Sequence, residues 1–137
     1  MTLEVCEIFF SLQGESTHRG LPCAFVRLTG CNLRCSYCDT RYAWSGGKRL
    51  SLDDIEHQIA KMPTSMVCVT GGEPLLQPET LTLTRRLCDT HDKVLLETNG
   101  SRDLFAVDQR VIKIVDLKCP DSGMEKHNRF SNLALLS

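Results

Sequence analysis

The residues best suited to chemistry stand in GCNLRCSYCD, Gly30 to Asp39, where Cys31, Cys35 and Cys38 fall within eight positions. A Cys-x3-Cys-x2-Cys loop can bring three thiolates to one face of a compact turn. Three such thiolates suit three irons of a cubane cluster and leave the fourth iron open to a ligand. The same spacing also suits a zinc ion with a remote fourth ligand, such as Cys119 or a histidine, because the ligand rules of the two metals overlap. Zinc knuckles usually pair two short spacings, however, and the sequence holds no second one.

A second candidate lies at TGGEP, Thr70 to Pro74. Gly71 and Gly72 let a backbone approach a ligand closely, and Glu73 can accept a hydrogen bond from an ammonium group. Taken alone, Gly-Gly-Glu-Pro reads as an ordinary turn. Beside the cysteine loop it reads as a seat for an amino-acid ligand. Arg27, near the end of FVRL, can pair bidentately with a carboxylate or simply close a rim salt bridge, and Gln13 with Glu15 offers an amide and an acceptor.

Five apolar runs rich in β-branched residues have to carry these groups: residues 3–10, 23–28, 66–70, 93–98 and 111–117. Residues 51–62 read as a helix, with Leu52, Ile55, Ile59 and Met62 at helical spacing, Ser51 as N-cap and Asp53 and Asp54 at its positive end. Residues 77–91 read as a second helix, with Pro78 in the first turn. Helix, strand, helix, strand, connection, strand implies an α/β fold of parallel strands with crossover helices on one side. Ligands gather at the carboxyl ends of strands in such sheets. Five strand ends, bearing Gln13 to Glu15, the cysteine loop, GGEP, Asn99-Gly100 and KCPDSG, are therefore expected to share one rim.

At 137 residues and 42% hydrophobic content the chain fits a single domain, 1–137. A net charge of −1 with 6% aromatics gives no basic field for a polyanion, so nucleic acid is a poor partner. No apolar run approaches the ~20 residues that cross a bilayer, and the N-terminus lacks a basic, apolar leader. A cytoplasmic protein with no membrane partner is expected, and its eight cysteines read as thiols rather than four disulfides. Cys6, Cys23, Cys68 and Cys88, among apolar neighbours, read as small buried hydrophobes. His18, His57, His91 and His127 are scattered, and none is assigned catalysis.

CNLRCSYCD together with TGGEP resembles the radical S-adenosylmethionine enzymes. Within that superfamily the chain is most similar to the 7-carboxy-7-deazaguanine synthases of queuosine and 7-deazapurine biosynthesis, through EIFFSLQGES, FVRLTGCNLRCSYCDT, VTGGEPLLQ, LETNG and IVDLKCPDSG, in that order. The resemblance implies a partial parallel β/α barrel and a [4Fe-4S] cluster on Cys31, Cys35 and Cys38. S-adenosylmethionine would chelate the open iron, and its reductive cleavage would release a 5′-deoxyadenosyl radical. It implies ring contraction of 6-carboxy-5,6,7,8-tetrahydropterin to 7-carboxy-7-deazaguanine with loss of ammonia.

By the same resemblance, Thr40 takes Mg2+, which keeps waters and few protein ligands. Gln13, Gly14, Glu15 and Arg27 bind substrate. Tyr37, Gly71, Gly72, Glu73, Asn99, Lys118 and Ser122 face S-adenosylmethionine. Reduced flavodoxin as electron donor and a homodimer are also implied. Cys119 is kept off the cluster, since a fourth protein thiolate would fill the open iron. The alternatives are a glycyl-radical activase of the same superfamily and a non-catalytic zinc-stabilised module. Two departures stand out: Asp121 occupies a place where the family often has serine, and family members continue well beyond FSNLALLS. An N-terminal portion lacking C-terminal elements of the barrel is therefore expected.

Overall fold

A computed structural model describes residues 1–136. It contains a six-stranded sheet in the order β3-β1-β2-β4-β5-β6. The strands are β1 (Thr2–Leu12), β2 (Pro22–Leu28), β3 (Lys48–Ser51), β4 (Met66–Gly71), β5 (Lys93–Thr98) and β6 (Ile112–Val115). The helices are α1 (Leu52–Ile59) and α2 (Glu79–Cys88).

The partial β/α arc is as expected, but the expectation that all five strand ends share one rim is corrected at the first strand. β2, β4, β5 and β6 run parallel, but β1 is antiparallel to both β2 and β3. Only residues 13–21 separate β1 from β2, too few for a crossover, which takes a dozen or more, so the two must form a hairpin. The carboxyl end of β1 therefore lies opposite the rim, with Leu12 paired to Pro22 at the start of β2. β3 was not expected. It is a short, charged strand, KRLS, lying along the outside of β1, the usual composition of an edge.

Both helices pack on one face, as their periodicity predicts. Ile55 and Ile59 of α1 and Leu83 and Leu87 of α2 are fully buried against Val26, Val67, Val69 and Leu96. Each such side chain contributes about 2 kcal/mol by leaving water. Ser51 caps α1, its Oγ accepting from Asp54 N at 3.0 Å. The helices are shorter than the apolar pattern, α1 ending at Ile59 and α2 spanning 79–88.

The opposite, concave face of the sheet carries the remaining alternate residues. Phe9, Cys23, Phe25, Met66, Cys68, Leu95, Ile112 and Ile114 form its apolar layer. A β-bulge between Val5 and Glu7 changes the phase of β1. Val5 faces the helices beside Leu28, whereas Glu7, two residues on, stands opposite Arg27. Without the bulge both would share a face. The sheet is open, an arc rather than a closed barrel, and no described helix is long and apolar enough to cross a membrane.

Candidate functional site

The concave face holds a cavity of about 470 Å³. Its floor is Phe9 stacked on Phe25, with centroids 5.0 Å apart and planes within 8°. Cys31, Cys35 and Cys38 all line it, with Tyr37, Asp39 and Thr40 from the same loop.

Backbone contacts from three elements hold this loop. Gly30 N donates to Ala43 O at 2.8 Å, and Gly30 O accepts from Glu73 N at 2.8 Å. Ser36 N donates to Ser122 O at 3.1 Å, and Ser36 Oγ to Asp121 O at 2.5 Å. Arg34 reaches back to the carbonyls of Cys31 and Leu33, both at 2.7 Å, and Arg41 to that of Ser36 at 2.7 Å. The two guanidiniums lie over the Trp44 ring, 4.6 and 5.7 Å from its centroid.

The thiols differ in surroundings. Cys31 Sγ faces two N–H donors, Leu33 N at 3.4 Å and Asn99 Nδ2 at 3.9 Å. Cys38 Sγ lies 3.8 Å from Thr40 Oγ1. Burial, partly offset by Lys118, pushes the Cys35 thiol up. Among the described residues, no three His, Cys, Asp or Glu side chains gather closely enough to chelate one ion. A single zinc draws its thiolates to ~2.3 Å from one point, whereas a cubane takes each on a separate iron. Three separated thiols around one cavity fit the cluster better. Cys119 is exposed and stands outside the cavity lining.

Gly71 and Gly72 line the wall beside the loop. A Cβ on Gly72 would collide with the carbonyl of Gly30, 2.6 Å from its carbon, and stand 3.2 Å from Cys31 Cβ. Glycine is thus required by the close approach of two chain segments. Asn99 and Lys118 also line the cavity, and Lys118 Nζ pairs with Asp116 at 2.5 Å.

Two residues expected to face the cofactor do not line the cavity. Glu73 is fully buried, and its carboxylate accepts from Thr98 Oγ1 at 2.9 and 3.0 Å, Asn99 N at 2.7 Å and Leu75 N at 3.0 Å. Burial raises its pKa and these bonds oppose the rise. Ser122 is buried too, its Oγ donating to Cys119 O at 2.6 Å and accepting from Met124 N at 3.0 Å.

Gln13, Gly14, Glu15 and Arg27 line the other end. Although β1 ends away from the rim, the hairpin connection folds back over the concave face, and Gln13 Nε2 donates to Glu97 Oε1 at 3.3 Å. Gln13 is buried, with its Oε1 accepting from Glu15 N at 3.2 Å. The Glu15 carboxyl titrates high, chiefly through the charge of Glu97, then burial, Asp116 and Asp39, against Lys118. Arg27 Nε donates to Glu7 at 2.8 Å, and its guanidinium lies 5.8 Å from the Phe9 and Tyr42 ring centroids. The salt bridge weighed for Arg27 is present, and Arg27 still lines the cavity.

Sequence reading missed Glu7, Thr70, Glu97, Asp116 and Trp44. Alternation along β2, β4 and β5 carries the signal for two of them, since Thr70 and Glu97 share the Arg27 face.

A cavity at the open side of a β/α arc, with three thiols on one loop and a glycine pair against it, defines a class. The radical S-adenosylmethionine family model, described as "Radical SAM superfamily", matches residues 25–121, and the chain belongs to that superfamily. The chain is 50% identical over 133 residues to the 7-carboxy-7-deazaguanine synthase of Chlorobaculum tepidum, covering 97% of this chain and 60% of that one. It is 49% identical over 137 residues to that of Koribacter versatilis, covering 98% and 61%. The crystal structure of QueE from Escherichia coli superposes with a TM-score of 0.75 at 26% identity, covering 83% of this chain and 60% of that one. The chain thus spans about 60% of the length of these relatives.

Proposed function

We propose that this chain carries the cluster and substrate site of a 7-carboxy-7-deazaguanine synthase, which contracts 6-carboxy-5,6,7,8-tetrahydropterin to 7-carboxy-7-deazaguanine and releases ammonia. One observation carries the reading: Cys31, Cys35 and Cys38 line the same cavity as Gln13, Glu15 and Arg27. The similarity to named synthases supports it.

In this reading the three cysteines hold a [4Fe-4S] cluster, and Gly71, Gly72, Tyr37, Asn99 and Lys118 face S-adenosylmethionine. Bound there, the two groups supply one-electron reduction and hydrogen-atom abstraction. The chain's own side chains orient and enclose. Leu33 N and Asn99 Nδ2 donate toward Cys31 Sγ, Arg27 takes a substrate carboxylate, and the stacked phenylalanines seat a flat ring. Glu73 and Ser122 act through their neighbours: Glu73 fixes Thr98 and Asn99, and Ser122 braces the cysteine loop. Thr40, with Asp39 beside it on the wall, is the proposed Mg2+ position. The proposal includes a single domain over 1–137, a reduced flavodoxin donor, a homodimer and a cytoplasmic location.

The similarity to named 7-carboxy-7-deazaguanine synthases favours this reading over a glycyl-radical activase. Anaerobic incubation of the cluster-loaded chain with carboxytetrahydropterin, S-adenosylmethionine, dithionite and Mg2+ should yield 7-carboxy-7-deazaguanine and ammonia. Cleavage of S-adenosylmethionine with the pterin left intact would overturn the substrate assignment.

A further inference from the structure

The register that pairs Val5 of β1 with Leu28 of β2, carried one residue further, sets Glu4 opposite Thr29. A hydrogen-bonded antiparallel pair exchanges two backbone bonds. Only one of them is made here, Thr29 N donating to Glu4 O at 2.9 Å. In place of the other stands the side-chain amide of Gln77, whose Oε1 accepts from Glu4 N at 2.8 Å and whose Nε2 donates to Thr29 O at 3.0 Å. The same Nε2 also donates to Glu4 O at 3.0 Å, so both of its hydrogens are used. Gln77 is thus wedged into the ladder at the point where β2 ends and the cysteine loop begins.

Gln77 also ends the short turn Pro74–Leu76 that follows Gly71-Gly72-Glu73. That stretch therefore grips two consecutive carbonyls ahead of Cys31: Gln77 Nε2 holds Thr29 O, and Glu73 N holds Gly30 O at 2.8 Å. Thr29 has no room on its other side. A Cβ on Gly47 would stand 2.4 Å from Thr29 Oγ1 and 2.7 Å from Val5 O, so Gly47 packs directly against the same joint. Thr29 Oγ1 is itself buried without a hydrogen-bond partner among the described residues, which leaves the backbone bonds of Thr29 to fix it. Gln77 does not line the cavity, so it acts through the segments it joins.

We propose that Gln77 is a positioning residue that sets the separation between the two halves of the cofactor site: the cysteine loop, which holds the cluster, and the glycine pair, which faces S-adenosylmethionine. A ligand bound at both places at once needs them at one fixed distance. Without the amide, Glu4 N and Thr29 O are free to meet directly, the ladder closes by one bond, and Gly30 and Cys31 shift relative to Gly72. This inference rests on the cofactor assignment above and is independent of the pterin.

The test titrates S-adenosylmethionine into the anaerobically reconstituted, reduced chain and follows the paramagnetic resonance signal per loaded cluster, so that loss of folded protein or of iron does not enter the result. Gln77→Met fills the space without an amide. It should still load a cluster, because the cysteine spacing is local, but should need about tenfold more S-adenosylmethionine for half of the spectral change. Gln77→Glu keeps an acceptor for Glu4 N while presenting oxygen to the two carbonyls, and should bind at least as weakly. Thr80→Val removes a buried bond of 2.7 Å to Pro74 O at the same turn, and should lower the melting temperature while leaving the affinity unchanged. Melting temperature identifies a Gln77→Met chain that fails to fold, and Gln77→Glu then decides. A folded variant with the original affinity overturns the inference while the cofactor assignment stands. A signal of the unaltered chain that ignores S-adenosylmethionine overturns both.

Discussion

The side-chain amide of Asn99 points its nitrogen at Cys31 Sγ, 3.9 Å away. Its orientation is fixed from the far side, because Asn99 Oδ1 accepts from Ser101 N at 3.0 Å and from Ser101 Oγ at 2.7 Å. A backbone N–H can only donate, so the oxygen must face Ser101 and the nitrogen must face Asn32 and Cys31.

A donor aimed at a cluster thiolate stabilises the more negative, reduced state and raises the potential. Asn99→Ala should keep iron but lower the cluster midpoint by roughly 40 mV, the one-electron equivalent of about 1 kcal/mol for one hydrogen bond. A redox titration followed by electron paramagnetic resonance reads the shift. An unchanged midpoint would show that the Asn99 contact does not persist on the loaded loop.

Glu73 anchors the ends of two strands. Glu73→Ala leaves the buried Asn99 N and the half-buried Leu75 N without their acceptor, at about 1–3 kcal/mol for a buried group. Urea denaturation should show a loss of roughly 2–5 kcal/mol. Because burial raises the Glu73 pKa, its titration favours the fold at low pH, and that contribution falls as pH rises from its ordinary 4.5 through the raised value. Glu73→Gln should flatten this part of the stability profile.

Gly72→Ala places a methyl group inside the carbonyl of Gly30. The neighbouring atoms are backbone, so the cysteine loop itself must move. Circular dichroism should remain near that of the original chain, while iron bound after anaerobic reconstitution should fall severalfold.

Glu15 titrates high because Glu97 is charged nearby. Replacing Glu97 by Gln removes the largest cause, and the Glu15 pKa should fall toward 4.5. Carboxyl carbon resonances recorded against pH would show it. The pH window over which protonated Glu15 favours the fold, from 4.5 up to its raised pKa, should narrow accordingly.

Much of this architecture is legible in the sequence because local patterns match their tertiary use. Ile55, Ile59, Leu83 and Leu87 bury the faces their spacing predicts, and Ser51 caps where a cap belongs. The direction of β1 was legible too, through the short gap before β2, but hydrophobic runs alone do not encode strand direction. KRLS carries almost no apolar signal, since an edge strand is stabilised by its ladder to β1 rather than by burial. At the site, Cys31, Cys35 and Cys38 are readable because their spacing is local. Glu97 is not, since its meeting with Gln13 spans 84 residues and depends on a hairpin folding back. Glu73 illustrates the converse: its motif draws attention, yet the carboxylate turns inward because buried N–H groups beside it need an acceptor.

The most direct test is the resonance spectrum of the anaerobically reconstituted, dithionite-reduced chain with and without S-adenosylmethionine. Three protein thiolates and an open iron predict one four-iron cluster per chain, lost in Cys31→Ala, Cys35→Ala or Cys38→Ala, with a signal that changes when the cofactor is added. A colourless zinc protein, or a cluster whose signal ignores the cofactor, would contradict it.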